Sequence, residues 1–148
     1  MKVFASTVIG APVDWIWPIL RDFVGLTVWS PAVTNAFITN DKASDQVGAI
    51  RHLDIVDGSV FIETLVALSD EEMFLKYDIV QGPIPVSNYV ATMRIRPVTE
   101  GNLTYASWSA EFDVADKHAE AMREVVGGQI CAGGLRGMKA YFEGVENG

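Results

Sequence analysis

The sequence predicts an α+β fold: a mostly antiparallel sheet, wet on one face, with a long C-terminal helix across the other. Three observations predict it. The elements run as a strand, short helices, a series of strands and one final helix, not as alternating strands and helices. The strands alternate so that one face is apolar and the other polar. The C-terminal segment carries an apolar stripe at three- and four-residue spacing.

The chain of 148 residues has the size of one domain, read here as residues 1–148. It is 49% hydrophobic and 20% charged, a globular balance and not a disordered one. The 19 acidic against 11 basic residues give a net charge of -8, which repels nucleic-acid backbones and anionic membranes. The one cysteine, Cys131, cannot form an intrachain disulfide, and a cytoplasmic location is the default. Residues 3–9 superficially suggest a signal peptide. The run is short, contains Ser6 and Thr7, and meets a Pro-Val-Asp turn signal, so it reads as a strand. No apolar run is long enough to span a bilayer.

Residues 2–9 form the first strand. Pro12 suits the first turn of a helix that continues to about Phe23, and Pro18 within it predicts a kink or break. Strands follow at 33–39, 49–56, 60–68, 73–80, 88–97 and 103–113. Asp57-Gly58 is a two-residue hairpin signal, and residues 81–87 are a Pro/Gly-rich loop. The final helix runs from an Asp116 N-cap to about Glu143. Its stripe is Ala119, Met122, Val126, Ile130, Gly134, Met138 and Phe142. Five glycines between 127 and 137 suggest a kink, close approach to the sheet or room for a ligand. A weak helix held by packing is the alternative.

Parity places Leu75 and Tyr77, then Tyr89 and Met93, then Trp108 and Phe112 on inward faces. Two charges interrupt this pattern. Arg51 shares its face with Ala49, Leu53 and Ile55. Glu63 lies between Phe61 and Leu65 on a strand apolar on both sides, so parity alone does not place it. An inward Arg51 beside an inward Glu63 would be a buried pair, because neither charge is tolerable alone, and such a pair hints at function. An edge arginine reaching to water, or a structural ion pair, fits the pattern as well.

Other chemistries find little support. His52 and His118 lack metal-ligand spacing, and no metal is expected. There is no nucleophile elbow, phosphate-binding loop or dinucleotide fingerprint. Cys131, on or near the apolar stripe, reads as a buried, inert thiol.

The segments Trp17 … Leu20-Arg21-Asp22-Phe23 … Trp29-Ser30-Pro31, Gly48-Ala49-Ile50-Arg51, Glu63-Thr64-Leu65 … Asp70, Tyr77 to Tyr89 and Trp108-Ser109-Ala110-Glu111-Phe112 together resemble the SRPBCC, or START-like, superfamily. The resemblance covers nearly the whole chain and is nearest the polyketide cyclase/dehydrase-like branch. It implies a helix-grip fold: a seven-stranded curved antiparallel sheet wrapped around the C-terminal helix, with two short helices after the first strand. A cavity between sheet and helix would bind a small hydrophobic molecule bearing a carbonyl or carboxylate. Leu53, Leu75, Tyr77, Met93, Trp108, Phe112 and Met138 are the expected apolar contacts. Arg51, Glu63 and Tyr89 match pocket positions of the similar lachrymatory-factor synthases, which implies an alternative as a cofactor-independent cyclase, dehydratase or isomerase. There Glu63 would shuttle the proton, Arg51 orient it and Tyr89 stabilise the anion. The similar abscisic-acid receptors carry a longer gate loop with a Ser-Gly-Leu-Pro signature that is missing here. Partner recruitment by a ligand sensor is the least favoured role, and the sequence leaves homodimerisation open. No cofactor is expected.

Overall fold

The computed structural model describes residues 1–145. The strands are β1 (Lys2–Ile9), β2 (Val33–Ile38), β3 (Ile50–Ile55), β4 (Val60–Ser69), β5 (Phe74–Gln81), β6 (Val86–Val98) and β7 (Leu103–Val114). They form one antiparallel sheet in the order β1-β7-β6-β5-β4-β3-β2. The helix-grip expectation therefore holds. Consecutive strands from β2 to β7 are neighbours, and β1 joins at the β7 edge. Short loops suffice for such pairing, which explains the closely spaced strands of the sequence.

Helix α1 (Val13–Leu20) and a 3₁₀ turn (Gly25–Thr27) connect β1 to β2. Pro12 is the extended N-cap of α1, one position earlier than expected. Pro18 lies inside the helix, which ends two residues later. The carbonyl deprived of its partner belongs to Asp14, an exposed residue that water can satisfy. Arg21 then bonds both Asp45 and Asp70, and the Trp17 indole N–H donates to Asp70, fixing α1 against two loops.

The hairpin between β3 and β4 differs from the two-residue turn suggested by Asp57-Gly58. The Ile55 amide donates to Ser59 and the Gly58 amide to Ile55, leaving a three-residue loop. Gly58 has φ +89, which suits a turn ending in the left-handed region. Asp57 accepts from the Ser59 amide and hydroxyl and stiffens the loop.

The largest departure is in the C-terminal helix. It begins with a 3₁₀ turn (Asp116–His118) lacking a side-chain cap, so Asp116 is not the cap expected of it. One α-helical turn (Ala119–Met122), a π-helical segment (Arg123–Ala132) and an α-helix (Gly133–Val145) follow. In the π segment each N–H reaches five residues back, as from Gly133 to the Gly128 carbonyl. The buried stripe is accordingly Met122, Val126, Cys131, Leu135, Met138 and Phe142. The five-residue step from Val126 to Cys131 replaces the four-residue step expected to Ile130. Ile130 and Gly134 are thereby turned off the fully buried stripe.

The helix packs chiefly over β1 and β7. A Cβ on Gly127 would lie 3.3 Å from Val3, and one on Gly137 would lie 2.7 Å from Pro31. At Gly134 it would run into the Trp108 indole. These glycines permit close backbone approach, one of the readings their number suggested. Because the helix lies toward the β1/β7 end, it leaves the inner faces of β3, β4 and β5 to bound a cavity.

Candidate ligand cavity

The cavity has a volume of about 380 Å³. Its sheet wall comprises Leu53 and Ile55 of β3, Phe61 and Glu63 of β4, and Tyr77 and Ile79 of β5. Arg51, Tyr89 and Trp108 complete it, while Val125, Gln129, Ile130, Gly133 and Gly134 face it from the C-terminal helix. The exposed residues Pro31, Asp57 and Pro83 place its mouth between the segment before β2, the β3–β4 hairpin and the β5–β6 loop.

Arg51 and Glu63 stand directly opposite in the β3–β4 ladder, so both point inward. Each is only 5% exposed. Arg51 Nε donates to Glu63 Oε1 at 2.8 Å, and Nη2 approaches the same oxygen at 2.6 Å. Nη1 donates to the Phe23 carbonyl at 2.7 Å. The guanidinium carbon lies 3.9 Å from the Phe23 ring centroid and 4.8 Å from that of Tyr77. These aromatic contacts help a planar cation tolerate burial. Among the described residues no hydrogen bond reaches Glu63 Oε2.

A bulge in β6 positions Tyr89. Ser87 pairs with Asp113 and Val90 with Glu111, so β6 contains one extra residue. Asn88 takes it up with φ +50 and donates its side-chain amide to Asp113 at 2.7 Å. Tyr89 then falls on the inner face and stacks on Phe112 with ring centroids 5.6 Å apart. Trp108 Nε1 donates to the Tyr77 hydroxyl at 3.1 Å.

Burial raises the Glu63 pKa above the ordinary carboxylate value, opposed by the charge and hydrogen bonds of Arg51. Protonating Glu63 would leave the buried guanidinium without its counter-charge. Burial likewise raises the pKa values of Tyr77 and Tyr89, which remain neutral donors. It pushes the Cys131 thiol up to about 12. Cys131 is fully buried and does not line the cavity.

Arg51, Glu63, Tyr89, Leu53, Tyr77 and Trp108 thus meet at one cavity. Leu75, Met93, Phe112 and Met138 are buried but lie outside its lining. Parity identifies their inward faces but cannot tell packed core from cavity wall. The additional wall residues Ile55, Phe61 and Ile79 share inward faces with Arg51, Glu63 and Tyr77, so parity was the available signal. Val125, Gln129 and Gly133 had none, because the π segment shifts their phase.

His52 pairs with Asp54 at 2.9 Å and stacks on Phe37, away from the cavity. Among the described residues, no group of three His, Cys, Asp or Glu side chains could hold a metal ion, and no helix is long and apolar enough to cross a membrane.

This architecture defines a helix-grip protein with an internal cavity of small-molecule size. The chain belongs to the family described as polyketide cyclase / dehydrase and lipid transport, which matches residues 1–143. Among solved structures it is similar to a protein from Bacillus thuringiensis, at 27% identity and a TM-score of 0.86, over 96% of this chain and 98% of that one. The protein XoxI from Bacillus cereus is also 27% identical with a TM-score of 0.86, over 98% and 97% of the two chains. A protein from Nitrosospira multiformis matches over 100% of both chains at 27% identity and a TM-score of 0.83. Comparison with curated proteins finds no match.

Proposed function

We propose that this protein binds one small, largely apolar molecule with a polar end in the cavity between sheet and C-terminal helix. The supporting observation is a cavity of about 380 Å³ whose mainly apolar wall includes the Arg51–Glu63 pair. This combination of shape, apolar surface and a few convergent polar groups suits a small-molecule site. Native mass spectrometry of the purified protein tests the reading, together with displacement of an apolar fluorescent probe. A co-purifying small molecule or a displaceable probe is expected. The absence of both a bound molecule and probe binding would overturn it.

A second reading is enzymatic, as a cofactor-independent cyclase, dehydratase or isomerase. It draws on the Glu63 oxygen left unbonded by Arg51 and on the raised pKa of that carboxyl. Glu63 would move the proton, Arg51 would hold its position, and Tyr89 would donate to a developing oxyanion. Once a substrate is found, Glu63→Gln is expected to abolish turnover even at saturating substrate. Unchanged turnover would remove Glu63 from the mechanism.

A further inference from the structure

The polar end of the ligand can be narrowed from the hydrogen bonds that the site leaves open. Arg51 donates from Nε to Glu63 Oε1 and from Nη1 to the Phe23 carbonyl, and its Nη2 lies in ion-pair contact with the same Glu63 oxygen. Phe23 and Tyr77 cover its guanidinium. Its charge is already matched by Glu63. A ligand carboxylate would bring a second negative charge beside Glu63 against a mainly apolar wall, where like charges repel more strongly than in bulk water.

Glu63 has the complementary feature. Oε1 accepts the Arg51 Nε hydrogen bond and the Nη2 contact, and Oε2 has no donor among the described residues. An ionised carboxylate oxygen only accepts, so it requires a donor. A bond from a neutral hydroxyl to this oxygen is charge-assisted and stronger than a neutral pair. The hydroxyl brings no net charge into the cavity.

We infer that the cavity selects an uncharged, largely apolar ligand whose phenol, enol or alcohol hydroxyl donates to Glu63 Oε2, and that it discriminates against carboxylates. This inference rests on the proposed role of the cavity as a ligand site and specifies its chemistry. A site built to pair a ligand hydroxyl rejects an analogue lacking it much more strongly than an apolar wall rejects a small change in size. The carboxylate end allowed by the sequence is therefore the disfavoured alternative.

The test uses four probes sharing one naphthalene ring: a naphthol, its methyl ether, the matching naphthoate and the matching methyl ketone. Calorimetry at neutral pH measures their affinities for the full chain. The naphthol is expected to bind at least tenfold tighter than the ether and the naphthoate. In Glu63→Gln, the amide oxygen can retain Arg51 and its NH₂ replaces the free acceptor with a donor. The preference is then expected to turn from the naphthol toward the ketone. Equal binding of all four would leave the cavity reading standing and overturn the inference. Tightest binding of the naphthoate would make Arg51 the anchor and also overturn it. Binding by none would overturn the cavity reading and this inference with it. Should Glu63→Gln fail to fold, the wild-type ranking alone decides between these outcomes.

Discussion

Arg51 and Glu63 are buried together because each makes the other tolerable. Removing one charge leaves the other unsolvated, at a cost of about 3–5 kcal/mol, whereas apolar replacement of both can be neutral. Glu63→Ala is therefore expected to lower stability by about 3 kcal/mol in urea denaturation, and Arg51→Met combined with Glu63→Leu to recover most of it. A double variant no more stable than the single would point to a pair needed for the fold itself. The raised Glu63 pKa sets a pH dependence with a definite sign. A folded-state pKa above the unfolded value means that the folded state binds the proton more tightly. The associated stability is fully present below the ordinary carboxylate value and is lost as pH rises through the raised folded value. The wild type should therefore lose stability relative to Glu63→Gln across that window. A relative gain in urea titrations would mean that Arg51 outweighs burial.

At the scale of elements, the C-terminal helix decides where the cavity lies. Its π segment advances the phase between Val126 and Cys131, turning Ile130 and Gly134 toward the cavity. Gly134 also lets the helix approach Trp108, which is tied to Tyr77. Gly134→Val is expected to cost about 1–3 kcal/mol through overpacking. It should also change Trp fluorescence as the Trp108 indole is displaced. A variant with unchanged stability and emission would show that the helix can withdraw from β7 freely. The strands were legible because the sheet has one apolar face, and alternating residues record that face. The three-residue hairpin and the β6 bulge were not legible. Hydrogen bonding between strands sets them, and neither Asp57-Gly58 nor Asn88-Tyr89 reveals its partner residues.

Across the whole molecule, the helix covers one end of the sheet while the hairpins and α1 surround the other. The cavity therefore belongs to no single element. A ligand filling it would restore packing contacts to its wall and stabilise the folded state through mass action. At one hundred times its Kd, a probe such as the naphthol should add about 2.7 kcal/mol. That corresponds to a Tm increase of roughly 5–10 °C for a chain of this size. Thermal denaturation monitored by circular dichroism reads the shift. No shift at saturation would mean that the probe binds the folded and unfolded states alike.

The sequence by itself determined the α+β order, the inward faces of the strands and the anomaly of Arg51, because strand parity and charge are local properties. It left Glu63 undecided, since both faces of its strand are apolar. Only tertiary structure placed that carboxylate opposite Arg51 and left one of its oxygens unbonded, because cross-strand register is set by long-range pairing. Tertiary structure also separated core from cavity. Leu75, Met93, Phe112 and Met138 carry the same inward signature as Leu53 and Tyr77. What distinguishes them is how the helix and surrounding elements fill the space above each residue.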